Sequence, residues 1–425
     1  MNRSEISKLI RYGWVFLMVG LLVNYIYRLV FHAIPIDKII VGSDMEGYYQ
    51  YLFHFFIKDW ELFDRMPWVI GYGEGKTLSV FTSGLAILWS PFFLIAHIIS
   101  LFLGLPADGK SSLYYGFIEV AGIFYTYVGL VFLYKFLREF FEHQVSLMAT
   151  VLFFLATNVF FYSVLLGAGM SHVYSFSMIA IYLYYTHQFS KKSSLKNIIL
   201  LGVPFAMAVL IRPTNIISGL YLFLYGVSDW ATFREKITFW IKNYWTIVAL
   251  FVVGVIVFIP QMAYWHYVTG KFLVYSYQEY GFPNWNAPKF GIVLFGKYNG
   301  WLTYTPIVIF ALVGLFILLW RKQMNSLSVL FILLLCTYIN SSWWVPTFSA
   351  AVGQRAMIDF LPFLAIPLAF VLTQIKAMNQ ALKISLGLIM IIFIFYNIQF
   401  GFRYEAGMWW DSPMTWTKFW TALKF

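Results

Sequence analysis

Long apolar runs, separated by short clusters of Arg and Lys, dominate the pattern along the 425 residues. A helix crossing a bilayer needs about 20 apolar residues, each adding about 1.5 Å. That measure predicts about eleven spans, near residues 12–33, 114–134, 145–165, 171–187, 197–211, 214–228, 245–264, 302–320, 327–345, 357–374 and 384–402. Residues 80–103 are also apolar enough to cross, but Ser83, Gly84, Ser90, Pro91 and His97 interrupt them. Their status sets the topology. If they cross, Lys135, Arg138 and His143 fall on the same side as Asp44. If they lie in the interface, those cations fall on the cytoplasmic side, as the positive-inside rule requires.

The interfacial reading puts Arg3, Lys8, Arg11, Lys135, Arg138, Lys191, Lys192, Lys196, Arg234, Lys236, Lys242, Arg321, Lys322, Lys376 and Lys383 inside. Only Glu5, Glu139, Glu142, Asp229 and Glu235 oppose them there. The expected fold is therefore an all-α polytopic membrane protein. It forms one domain over residues 1–425, with a cytoplasmic N-terminus and juxtamembrane helices in a first outer loop, residues 34–113. Polar and aromatic outer pieces follow at 265–301, 341–355 and 403–425. The two spans at 197–211 and 214–228 are short and read as a hairpin with Arg212-Pro213-Thr214-Asn215 at its tip. The first span has no small-residue cleavage site and carries Asn24 and Arg28, so it reads as a retained helix.

Composition strengthens this picture. The chain is 61% hydrophobic and 11% charged, which excludes an ordinary soluble domain. A net charge of +11 would suit nucleic acid, but the cations are dispersed between apolar runs, so membrane orientation explains them and no nucleic-acid partner is expected. One cysteine, Cys336, lies in an apolar run, and the seven histidines show no zinc spacing. No internal repeat or low-complexity tract is present.

Candidate chemistry centres on Gly42-Ser43-Asp44-Met45-Glu46-Gly47-Tyr48. In an extended stretch, Asp44 and Glu46 would point to one side and meet one substrate or cation. Equally, Ser43 and Glu46 have capping-box spacing, and both acids suit a first helical turn. An arginine between apolar helices is costly unless it faces a cavity or a partner, which marks Arg212. Arg355 stands at the outer end of a span, where a guanidinium can hold a phosphate bidentately; an ion pair with Asp359 is the plainer account. His172 lies at the outer mouth of a helix, as a hydrogen-bonding group or as a satisfied bundle histidine. Tyr277, Trp344 and Trp410 offer faces for sugar rings, with Glu279 and Asn299 as polar partners, although interfacial aromatic belts look the same in sequence.

On these residues the chain resembles the GT-C superfamily of integral-membrane glycosyltransferases, nearest the branch with protein O-mannosyltransferases and lipid A aminoarabinose transferases. The likeness rests on Asp44, Glu46 and Tyr48 opening the first outer loop, on Trp89-Ser90-Pro91-Phe92, on Lys135-Phe136-Leu137-Arg138 and on Arg212-Pro213-Thr214. Gly353-Gln354-Arg355 followed by Asp359-Phe360-Leu361-Pro362 adds to it. The resemblance implies a polyprenyl-phosphate sugar donor, a lipid, glycan or protein acceptor, and transfer with inversion on the outer, periplasmic face of an inner membrane. It places the catalytic acid on Asp44. Glu46 would orient the acceptor or help a divalent cation, whose need stays open, and Arg355 and Arg212 would bind the donor phosphate. In the nearest branch the two acids are adjacent, whereas Met45 separates them here, so the choice of base stays open between them. Two other readings are a polysaccharide polymerase or ligase using polyprenyl-linked chains, and a transporter or flippase using Asp44, Arg212 and Glu119.

Overall fold

Apolar runs of this length leave the backbone no water to bond, so each run closes its own hydrogen-bond ladder. The computed structural model is accordingly helical almost throughout, and it describes residues 3–31, 44–57, 68–73, 75–165, 168–278, 280–348, 351–403 and 414–424. The first helices are α1 (Arg3–Phe31), α2 (Asp44–Leu52), α3 (Gly84–Leu103), α4 (Ser112–Leu137), α5 (His143–Leu155) and α6 (Val159–Val164). Next come α7 (Ser171–Lys191), α8 (Leu195–Ile211), α9 (Gly219–Phe223), α10 (Trp230–Lys242), α11 (Tyr244–Thr269) and α12 (Phe290–Phe295). The last are α13 (Trp301–Tyr304), α14 (Val308–Trp320), α15 (Ser326–Ser342), α16 (Ala365–Lys376), α17 (Gln380–Arg403) and α18 (Trp416–Ala422). A π-helical turn, Phe53–Ile57, extends α2, and 3₁₀ segments at Pro213–Ser218 and Arg355–Leu364 lead into α9 and α16.

Among the described residues six stretches are long and apolar enough to cross a membrane: Ser7–Arg28, Gly84–Leu103, Ser112–Leu137, Tyr244–Thr269, Arg355–Lys376 and Gln380–Arg403. Helices α5, α8, α14 and α15 are apolar but shorter. The expected spans near 145–165 and 302–320 are each interrupted, at α5/α6 and α13/α14. The return arm of the short hairpin is a 3₁₀ turn followed by a five-residue helix. Two small elements were not expected. One is an antiparallel hairpin of β1 (Val69–Gly71) and β2 (Thr77–Ser79), in register Ile70↔Leu78. The other is the amphipathic α10, whose capping box pairs Asp229 with Thr232.

The Arg355–Lys376 stretch is the axis of the bundle, 94% buried, whereas Ser7–Arg28, Tyr244–Thr269 and Gln380–Arg403 are only 11% buried and turn rows such as Trp14, Met18 and Leu22 outward. Between helices in a bilayer, close packing replaces the hydrophobic effect, so small residues gather at contacts. Gly122 and Gly129, two turns apart on α4, are such contacts. A Cβ at Gly122 would stand 2.3 Å from the Ala168 carbonyl oxygen, and one at Gly129 2.5 Å from Ser177 Oγ. Ser177 in turn donates to the Tyr125 carbonyl at 2.7 Å. This register leaves the first turns of α4 projecting past the start of α7. Helix α3 lies antiparallel to α4 and also reaches α7, with Phe92 against Phe124 and Tyr125, Phe93 and His97 against Tyr114, and Trp89 Nε1 donating to the Tyr174 hydroxyl at 2.8 Å.

The loops sort to two ends. At one, Glu139 pairs with Lys191, Glu142 with Lys376, and Asn325 accepts from the Gly226 amide. Asp44, His172, Arg212 and Arg355 meet at the other.

Candidate active site

Helix α2 opens on Asp44 with two acids in its first turn, where the positive end of the helix dipole favours them. Beyond Asp44 it is buried, and aromatic packing fixes it. Phe81 stacks on Tyr48 at 4.5 Å between centroids, Tyr49 meets Phe93 at 5.8 Å, and the Tyr49 and Tyr51 hydroxyls donate to the Gly109 and Phe81 carbonyls. Ser79 in β2 donates to the Gly47 carbonyl at 2.6 Å, so the β-hairpin props the helix from behind.

Because the stretch is helical, residues two apart point roughly 200° from each other. The expectation that Asp44 and Glu46 face one substrate or cation together is thereby corrected. The Asp44 side chain is 24% exposed, whereas Glu46 is buried at 1%. Glu46 therefore faces the protein interior, away from the partly exposed Asp44 carboxylate. No group of three His, Cys, Asp or Glu side chains forms among the described residues. The group facing Asp44 is a cation: Arg355 Nη2 donates to Asp44 Oδ2 at 2.7 Å.

Arg355 reaches that position from the 3₁₀ segment at the head of the axis. Gly353, two residues earlier, has φ +67°, and a Cβ there would sit 2.9 Å from Tyr304 Cβ, so both the backbone and the packing call for glycine. Asn158 donates to the Val352 carbonyl at 3.0 Å, and the Val352 amide donates to the Tyr162 hydroxyl at 3.2 Å. Arg355 does not pair with Asp359, the partner that helical spacing suggested. At about three residues per turn, a residue four positions on lies about 120° away.

Asp359 builds a second cluster instead. Its Oδ1 lies 2.9 Å from His172 Nδ1 and its Oδ2 3.3 Å from Arg212 Nε, while Arg212 Nη1 stands 3.1 Å from His172 Nε2. Arg212 Nη1 also stands 2.9 Å from His172 Nδ1, so the guanidinium lies against both ring nitrogens; with Nδ1–H donating to Asp359, Nε2 is the ring's acceptor. Asp359 and His172 are buried, and Arg212 is 17% exposed. From the sequence, Asp359 is expected as a partner for Arg355 and as part of the Asp359-Phe360-Leu361-Pro362 likeness, not as the centre of a cluster. A lone acid in the apolar run 356–376 was the signal that it matters on its own.

Tyr48 lies between the two clusters. Burial, opposed by the Arg212 charge, pushes its phenol up to about 12, and Ser171, Asp44 and Arg355 also act on it. Its hydroxyl stays protonated at any working pH. Burial raises Tyr277 as well, with Tyr48, Arg212 and Asp44 among the groups felt there, and its ring meets Phe81 and Trp343 edge-on.

The structure thus brings together Asp44, Tyr48, His172, Arg212, Tyr277 and Arg355. Trp344 lies 5.1 Å from the Tyr280 ring and is 42% exposed, so it presents a face to solvent. Asn299 makes a contact between loops. It is fully buried at φ +64°, and its amide holds the Thr347 carbonyl at 3.0 Å, tying together the loops on either side. Glu279 and Trp410 lie outside the described residues.

Residues 91–265 match the sequence model of the dolichyl-phosphate-mannose-protein mannosyltransferase family. That region holds His172 and Arg212 but neither Asp44 nor the Arg355–Asp359 segment. No protein with a curated description matches the chain. Among solved structures the chain is similar to an Archaeoglobus fulgidus oligosaccharyltransferase in its apo form, at 14% identity and a TM-score of 0.55. The likeness covers 93% of this chain and 56% of that one, so the chain spans little more than half the length of the structure it matches. That fold over nearly the whole chain and the mannosyltransferase pattern through its middle both support a GT-C-type membrane glycosyltransferase.

Proposed function

We propose that this glycosyltransferase moves a sugar from a polyprenyl-phosphate donor to an acceptor hydroxyl, with inversion at the anomeric carbon. The observation that carries this reading is the Asp44–Arg355 pair at the partly exposed mouth of a buried polar cluster. Asp44 takes the proton of the acceptor O–H as general base. The acceptor oxygen bonds to the anomeric carbon as the bond from that carbon to the phosphate oxygen breaks, and the electron pair leaves with the polyprenyl phosphate. Arg355 and Arg212 stabilise the charge that develops there, in a site with little water. Asp359 and His172 hold Arg212 in place. Tyr48 donates a neutral hydrogen bond, and Tyr277 and Trp344 offer faces to the sugar.

The reading extends to the membrane. The loops 138–142, 192–194 and 377–379, which Lys135, Arg138, Lys191, Lys192, Lys196, Lys376 and Lys383 line or flank, lie at the end remote from Asp44, which favours a cytoplasmic N-terminus and an active site on the periplasmic face of an inner membrane. Residues 34–113 then form an outer loop in which α3 lies in the interface, a reading that keeps Lys135 and Arg138 on the cytoplasmic side. The described parts of the loops that follow, 265–278, 280–301 and 414–424, flank the same face. A lipid-borne donor enters between helices from the bilayer, a route a soluble enzyme lacks.

The test is transfer in nanodiscs with a panel of labelled polyprenyl-phosphate sugars, comparing wild type with Asp44→Asn and Glu46→Gln. Turnover with one donor, lost in Asp44→Asn and kept in Glu46→Gln, supports the assignment and identifies the sugar. Turnover that survives Asp44→Asn moves the base elsewhere. Activity only with polyprenyl-diphosphate oligosaccharides favours a polymerase or ligase. Lipid scrambling without transfer from any donor overturns the proposal.

A further inference from the structure

A second feature lies far from Asp44, where the lower halves of α4, α7 and α8 diverge beside α1. They leave an open groove of about 850 Å³, within the range of small-molecule sites. Its walls are apolar, with Val128, Val131 and Leu200 facing the rings of Tyr184 and Tyr185. Its mouth is cationic. Lys135, Arg138 and Lys196 stand there, and the nearby Glu139 is already engaged by Lys191 at 2.5 Å and by Gln188 at 2.9 Å. Arg138 commits one N–H to the Phe141 carbonyl, from a guanidinium with five N–H donors.

The length of the groove identifies the occupant. From Val128 to Arg138 the helix rises roughly 15 Å, which is half the thickness of a bilayer's hydrocarbon core, about 30 Å. The feature is therefore one leaflet tall, apolar along its height and positive at headgroup level. We infer that this groove is a resident site for an anionic glycerophospholipid, with an acyl chain along Val128, Val131 and Leu200 and the headgroup phosphate at Lys135, Arg138 and Lys196. Basic pockets between membrane helices bind lipid phosphates in this way. The site shares no residue with the candidate active site, so it stands whether or not the transfer reaction does.

The test is native mass spectrometry of the detergent-purified protein, titrated with phosphatidylglycerol or phosphatidylcholine of the same acyl chains. Lys135→Gln/Lys196→Gln is compared with Lys242→Gln/Lys322→Gln, which removes equal charge from exposed positions outside the groove. The groove variant weakens the tightest phosphatidylglycerol site about 30-fold, and the control leaves it unchanged. Val131→Trp, which fills the wall without altering charge, also removes that site. Equal retention by the two double variants, equal affinity for phosphatidylcholine, or tight binding that survives Val131→Trp would each overturn the inference.

Discussion

The two ends of the bundle both carry ion pairs, and the difference between them is water. Near Asp44, the Arg212–Asp359 side chains are 17% and 1% exposed and the Arg355–Asp44 side chains 15% and 24%. At the far end, Lys376 and Glu142 are each about half exposed, at 53% and 52%, and Lys191 is 52% exposed against Glu139. Exposed pairs are screened and contribute little. Shielded ones are costly to keep and more costly to break. Losing a pair should therefore matter little at one end and much at the other.

Substitutions at the two ends should differ sharply. The largest effect is expected of Asp44→Asn, which removes the base while keeping the side chain's shape and should lower turnover about 10³-fold with little change in thermal unfolding. Asp359→Ala leaves Arg212 without its carboxylate in a buried setting and should cost about 3–5 kcal/mol, read as a large fall in Tm in detergent. If Asp359→Ala leaves Tm unchanged, the cluster around it is not the structural support described here.

A smaller effect follows from Tyr48. The folded protein keeps a proton on this phenol up to about 12, whereas the unfolded chain releases it near 10. Between those values the folded state binds more protons, so stability falls as pH rises through 10 towards 12, by about 2–3 kcal/mol at most. Tyr48→Phe should flatten that part of the stability curve. The smallest effect belongs to the far end: Glu142→Gln should cost less than about 1 kcal/mol, and high salt should erase the difference.

The sequence made individual residues legible but not their partners. Asp44, Arg212 and Arg355 stand out because an ionisable group amid apolar helices needs a reason to be there. What stayed hidden was geometric. Asp44 and Glu46 diverge because their stretch is helical, and one residue pattern fits strand and helix alike over so short a length. Arg355 misses Asp359 because residues 355–364 wind with three residues per turn, a choice set by the packing of the axis and not by local propensity. The β-hairpin at 69–79 was obscured for a related reason. Its strands are three residues long and depend on Tyr264, which donates to the Thr77 carbonyl and accepts from the Ser79 amide, for their place.

The Asp44–Arg355 contact joins residues 311 positions apart. A ribosome adding about 5–20 residues per second takes roughly 15–60 s to cover that interval. During that time the first loop is already made and its carboxylate has only solvent and headgroups for company, while the arginine that completes the pocket is still untranslated. The pair is thus among the last contacts the nascent chain acquires, and a product truncated before residue 355 would lack both this contact and the buried axis of the bundle.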